Sequence, residues 1–153
     1  MANSYTKIYI QCIFTVKGRK NFLPLQHNTE LHNYIKGIVE KRKSIVVAVN
    51  NMQDHVHILV RLNPNYSVSK LMQEIKSVSS KFINDKKLVK GKFQWQSGYG
   101  AFSYSESHVE NVIKYIENQE QHHQNRTFRE EFIDFLEKFR IEYDDKYLFE
   151  FYD

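Results

Sequence analysis

Two histidines separated by one residue, His55 and His57, sit in the run Asp54-His55-Val56-His57-Ile58-Leu59-Val60. Read as a strand, this run points alternate side chains to opposite faces. The two imidazoles then stand side by side, while Val56, Ile58 and Val60 line the face that can enter a core. A pair of imidazoles at i and i+2 on a rigid strand is half of a divalent-metal site. The same spacing also occurs on plain exposed strands, so the metal reading needs a third ligand and a reactive group from elsewhere in the chain.

Residues 106–124 supply a second constellation. On a helical wheel Val109, Val112, Ile113 and Ile116 form an apolar stripe, and His108, Tyr115, Gln119 and His122 fall in one narrow sector beside it. Tyr115 and Gln119 are one turn apart on the same face. Taken singly, Tyr115 also reads as core filler with its hydroxyl at the rim, and Gln119 as a surface glutamine.

The elements that must carry these groups are legible from periodicity. Within residues 4–16, Ile8, Ile10, Cys12, Phe14 and Val16 alternate with Lys7, Tyr9, Gln11 and Thr15, the pattern of a half-buried strand. Pro24 opens a helix running to about Arg42, with a stripe of Leu31, Tyr34, Ile35, Ile38 and Val39. Ser44 to Asn50 reads as a buried strand, Asn50-Asn51 as a turn, and the histidine strand follows to about Leu62, so the two form an antiparallel hairpin. Ser67 is a candidate N-cap for an amphipathic helix over 68–84. Phe93 to Gln96 alternates like a strand, Gly98-Tyr99-Gly100 interrupts it, and 101–104 can resume it. Ser105 can cap the helix over 106–124, and Phe128, Phe132, Phe135, Leu136 and Phe139 mark a further amphipathic segment. The tail from Ile141 to Asp153 alternates acidic and aromatic residues and should dock on the surface of the domain, because so many aromatics are costly to leave in water. The order is β-α-β-β-α-β with additional C-terminal helices. This predicts an α+β fold with a ferredoxin-like, split β-α-β antiparallel sheet. Helices cover one sheet face, and the histidine pair points to the other, which is left for a ligand, a dimer partner or the last helices.

Composition bounds the function classes. The chain has 153 residues, 41% hydrophobic and 26% charged, which suits one globular domain rather than a disordered chain. No apolar run is long enough to cross a bilayer. Met1-Ala2-Asn3-Ser4 lacks the basic and apolar regions of a secretory signal, and the single Cys12 excludes an internal disulfide, so a cytoplasmic protein with a buried, inert thiol is expected. Charge is uneven. Residues 126–153 hold 5 Lys+Arg against 9 Asp+Glu, net −4, and residues 1–125 hold 17 against 9, net +8. The basic part carries the histidine pair, so an anionic partner such as a nucleic-acid backbone fits there; a solvated lysine-rich surface is the plainer reading.

At this point the sequence resembles a known family. Asp54-His55-Val56-His57-Ile58-Leu59-Val60, followed about sixty residues later by Val112-Ile113-Lys114-Tyr115-Ile116-Glu117-Asn118-Gln119, is similar to the single-tyrosine HUH transposases of the IS200/IS605 type and their repeat-associated relatives. The resemblance covers roughly residues 5–124. It implies a catalytic domain over 1–125 working as a homodimer, with 126–153 an extension packed on the same domain. It also implies binding of single-stranded DNA hairpins and cleavage and rejoining through a 5′-phosphotyrosine link with Mg²⁺ or Mn²⁺. Carried over, Tyr115 is the nucleophile, and His55, His57 and Gln119 are the metal ligands. This set contains no carboxylate; Asp54 and Glu117 are the acidic residues available to assist it. The entry to the tyrosine helix departs from some relatives: Ser103-Tyr104-Ser105 stand where those relatives carry glycines, and the nearest glycine is Gly100.

DNA contacts are expected from Lys17, Arg19, Lys20, Lys76, Lys81, Lys86, Lys87, Lys90 and Lys92, with Trp95 and Tyr99 available to stack on unpaired bases. Core packing is the competing reading for Trp95, and a solvated turn for Lys17 to Lys20. Three further functions stay open: a domesticated relative that processes repeated palindromic DNA, a non-catalytic single-strand nucleic-acid-binding module, and a metal-dependent hydrolase that forms no protein–DNA adduct.

Overall fold

In the computed structural model, which describes residues 3–153, the alternating N-terminal segment forms β1 (Tyr9–Thr15). Met1 and Ala2, where the absence of a secretory signal was read, lie outside the described residues. Then come α1 (Asn28–Lys41), β2 (Ile45–Asn51), β3 (His55–Arg61), α2 (Val68–Asp85), β4 (Gly100–Tyr104), α3 (Val109–Glu117), α4 (Gln119–His122) and α5 (Phe128–Lys138). The strands pair antiparallel in the order β2-β3-β1-β4. This is the expected split β-α-β sheet with helices added after it. Among the described residues, no helix is long and apolar enough to cross a membrane.

Register explains the two faces. Cys12, Phe14 and Val16 of the β1 region join Val56, Ile58 and Val60 of β3 in the core under α1 and α2. The α2 helix starts as the sequence predicts, with Ser67 accepting a hydrogen bond from the Lys70 amide. The other face of the sheet holds Tyr9, Gln11, Ile13, His55, His57 and Leu59, and it is covered too. Val109, Val112 and Ile116 of α3 pack on Tyr9, Ala48 and Leu59. Phe128, Phe132, Phe135 and Leu136 of α5 pack on Ile13 and Phe102. Thus β1 is buried on both faces rather than half-buried, and the last helices occupy the side left open by the topology. In contrast β2, read as a buried strand, is an edge strand with Ile45 half-exposed.

Three local expectations are corrected. Phe93 to Gln96 is not a strand of the sheet; it makes one bridge, Val16 with Trp95. The helix expected over 106–124 is broken at Asn118 into α3 and α4. Asn50, read as a turn residue, instead donates from its side chain to the Ile116 and Glu117 carbonyls at 3.0 and 3.2 Å, serving acceptors that the broken helix leaves free. Gly98 takes a left-handed φ of +86°, as a tight bend requires. Gly100 has another reason: a Cβ there would lie 2.7 Å from Cε1 of Phe132, so its bare backbone is what lets α5 seat on β4.

Candidate active site and metal centre

The site is built where β3, the α3–α4 break and α5 meet. His55, His57, Gln119 and Glu131 are all fully buried. The carboxylate of Glu131 lies at the centre. His57 Nε2 is 3.0 Å from Oε1, His123 Nε2 3.1 Å and His55 Nε2 3.4 Å. Gln119 donates to Oε2 at 3.3 Å, and the Tyr115 hydroxyl donates to the same oxygen. Gln119 Oε1 is also 3.3 Å from His55 Nε2 and 3.1 Å from His123 Nε2. The ring of Phe128 stacks on His55 at a centroid distance of 3.9 Å and closes that side.

Electrostatics follow from burial and these contacts. Burial drives His55 toward its neutral form, but hydrogen bonds to the Asp54 and Glu131 carboxylates outweigh it and carry the group up to about 9. For His57 burial prevails over the Glu131 carboxylate and holds the imidazole below its usual range. Burial would raise Glu131, yet His57, His123 and His55 together keep its carboxyl well below the usual carboxylate range. The Tyr115 phenol is raised, first by burial and then by the Glu131 charge, with Arg126 opposing both.

Ligand atoms of His55, His57 and Glu131 all lie within 4.8 Å of one another, close enough to meet on one metal ion. The outer hydrogen bonds fit such a role. Nδ1 of His55 faces Asp54 Oδ1 at 2.7 Å, the carboxylate–histidine arrangement that leaves Nε2 for a metal. Nδ1 of His57 faces the side-chain amide of buried Gln11 at 2.9 Å, and Gln11 Oε1 in turn accepts from the Tyr104 hydroxyl at 2.9 Å. A half-turn of that amide would present oxygen to a protonated Nδ1 and free Nε2 for a metal. Two imidazoles and a carboxylate, with the Gln119 amide oxygen adjacent, suit a divalent ion that accepts mixed nitrogen and oxygen donors.

The expected residues thus fall into three groups. Tyr115, Gln119, His55 and His57 come together, and Asp54 joins them through His55. Glu117 does not: its carbonyl serves Asn50 and its side chain is exposed. Sequence reasoning missed Glu131, His123 and Arg126. One signal pointed to Glu131: it falls on the apolar stripe of α5, three residues after Phe128 and four before Phe135, where an unpartnered carboxylate would be expensive.

Of the basic residues, Lys17, Arg19, Lys20, Lys90 and Lys92 line one cleft together with Tyr152. Lys87 lines the adjoining one with Lys20 and Lys90. Tyr152 also borders the cleft beside Asp54 and His123, so the basic cluster neighbours the site. Lys86 is exposed, and Lys81 is exposed and paired with Asp85. Lys76 is tied to the Gln96 and Gly98 carbonyls at 2.6 and 2.7 Å. Tyr99 is about one-third exposed. Trp95 is not available for stacking on bases. It is buried against Phe14 and Phe93 and donates to Ser79 Oγ at 3.1 Å, because the face it shares with Phe93 is the one α2 covers.

Known proteins share this architecture. The fold superposes on a crystal structure of "a putative transposase from Deinococcus radiodurans R1" with a TM-score of 0.60 and 21% identity, covering 78% of this chain and 95% of that one. It also superposes on a REP-associated tyrosine transposase bound to a REP hairpin, with a TM-score of 0.57 and 17% identity, covering 80% of this chain and 73% of that one. No curated protein matches the chain. The α+β fold is therefore one found in transposases. The family model for IS200-like transposases matches residues 4–119, and the chain belongs to that family. The match ends at Gln119, so His123, Arg126 and Glu131 lie beyond it.

Proposed function

We propose that this protein is a metal-dependent transposase that binds single-stranded DNA with hairpin ends and cuts and rejoins it through a 5′-phosphotyrosine on Tyr115. One observation carries the reading: the Tyr115 hydroxyl and the His55–His57 pair meet on a single buried carboxylate, Glu131. A phosphodiester resists attack because its oxygens are negative. His55, His57 and Glu131, with Gln119 beside them, would hold a Mg²⁺ or Mn²⁺ ion, whose positive charge would polarise the scissile phosphate. Tyr115 is the nucleophile, and its covalent link conserves the phosphodiester energy, so rejoining needs no ATP. Asp54 and Gln11 orient the two imidazoles. The basic cleft of Lys17, Arg19, Lys20, Lys90 and Lys92 holds the DNA backbone. The fold neighbour bound to a REP hairpin supports a hairpin partner here, whether the protein moves its own element or processes repeated palindromes. Working as a homodimer belongs to the proposal, and light scattering tests it.

The decisive experiment is a covalent-adduct assay. Single-stranded oligonucleotides from the DNA flanking the coding sequence are incubated with protein and Mn²⁺ or Mg²⁺, beside Tyr115→Phe and His57→Ala. A denaturing gel should show an adduct with wild type and metal only. Cut DNA without an adduct would favour a hydrolase. Hairpin binding with neither cleavage nor adduct, for both strands and both metals, would favour a binding module.

A further inference from the structure

The Tyr115 hydroxyl has a second partner. While it donates to Glu131, it accepts a hydrogen bond from Nη2 of Arg126 at 2.9 Å. The other terminal nitrogen of Arg126, Nη1, is 3.3 Å from Asp134 Oδ2, and the same oxygen receives Lys138 Nζ at 3.1 Å. Asp134 therefore fixes two cations beside the nucleophile. Tyr115, Arg126 and Lys138 line a cleft of about 380 Å³, which His108 and Asn111 also border. Glu131 is fully buried and does not line this cleft. The hydroxyl is thus approached from outside on its Arg126 side, with its proton directed inward.

We propose that this cleft seats the scissile phosphodiester and that Arg126 is a catalytic residue, touching both the attacking oxygen and the phosphate. The inference rests on the tyrosine reading above and adds a group outside the stretch that the family model matches. A guanidinium has five N–H donors in a planar fork. Two of its nitrogens are engaged by Asp134 and Tyr115, and donors remain for a phosphate oxygen. Its charge cannot be lost by deprotonation, so it opposes the negative charge at the phenolic and phosphoryl oxygens throughout the step. As the Tyr115 Oη–P bond forms and the P–O3′ bond breaks, the phenolic proton passes to water. The 3′-oxygen leaves with the bonding electron pair and takes a proton from water. Arg126 transfers no proton.

The test uses the full chain, Mn²⁺ and the hairpin oligonucleotides that flank its coding sequence. Arg126→Gln should slow adduct formation by about 10²–10³-fold, the usual cost of losing one charge-stabilising donor, a loss far larger than any accompanying fall in hairpin affinity or melting temperature. Arg126→Lys should recover only part of the rate, because one ammonium does not reproduce the planar fork. Guanidinium added below denaturing concentration should restore part of the rate to Arg126→Ala and none to Tyr115→Phe. A wild-type rate in Arg126→Gln would overturn the assignment while leaving the tyrosine mechanism intact. So would a loss matched by lower melting temperature or hairpin affinity and unrescued by guanidinium, which would make Arg126 structural. Absence of any adduct from wild type would overturn the tyrosine reading itself, and this inference with it.

Discussion

Glu131→Ala should be among the most damaging single substitutions in this protein, although the residue lies outside the family match. Its carboxylate is fully buried and faces His57 Nε2 at 3.0 Å, His123 Nε2 at 3.1 Å, Gln119 Nε2 at 3.3 Å and the Tyr115 hydroxyl. Truncation leaves these groups facing a void, with the charge that held them gone. Removing one partner from a buried charged cluster costs about 3–5 kcal/mol. At roughly 2–4 °C per kcal/mol for a chain of this size, the melting temperature should fall by roughly 6–20 °C. The pH dependence carries a second signature. The Glu131 carboxyl is held below its ordinary value of 4.5, so its stabilisation is complete above that value and is lost as pH falls below it. The acid limb of the stability curve should therefore be shallower in Glu131→Gln. Metal gives a third: Mn²⁺ at a hundred times its Kd should stabilise wild type by about 2.7 kcal/mol, and most of that should vanish in Glu131→Ala. Circular-dichroism melts over a pH series, with and without Mn²⁺, measure all three. A Glu131→Ala protein that melts with wild type and keeps the full metal shift would refute the placement of this carboxylate at the centre of the site.

Other expectations follow from single contacts. Gly100→Ala places a methyl against the Phe132 ring and should destabilise by about 1–3 kcal/mol in urea titrations, as overpacking does, with Gly100→Val worse. Burial pushes the Cys12 thiol up to about 12, so it should resist iodoacetamide at pH 8 in the folded protein and react fully once denatured. Neutralising Lys17, Arg19 and Lys20 together should weaken hairpin binding and flatten its salt dependence by about 0.7 per lost phosphate contact, as read by fluorescence anisotropy. Trp95→Phe should instead leave hairpin affinity alone and cost stability, about 1 kcal/mol for the lost hydrogen bond to Ser79, measured by thermal melting.

Local periodicity carried much of this protein. Alternation alone put His55 and His57 on the face opposite Val56, Ile58 and Val60, and a 3.6-residue period alone put Tyr115 and Gln119 one turn apart beside an apolar stripe. Both readings depend only on where a backbone of known geometry sends successive side chains, which a single segment determines. The order of strands and helices followed in the same way, and with it the split β-α-β sheet.

What covers each face is a different kind of information. Trp95 alternates as well for an exposed strand as for a buried one, and only its seat against Phe14 and Ser79 makes it core. The carbonyls at the Asn118 break are served by Asn50, which reaches them from a strand more than sixty residues earlier in the chain. Glu131 looked like one acid among many in an acidic C-terminal segment. Its meaning comes from α5 lying across the sheet, which in turn needs the bare backbone of Gly100. Such contacts join residues far apart in sequence and leave no period in the chain, so the carboxylate between the histidines and the tyrosine, and the arginine at the tyrosine hydroxyl, became visible only once the helices were packed.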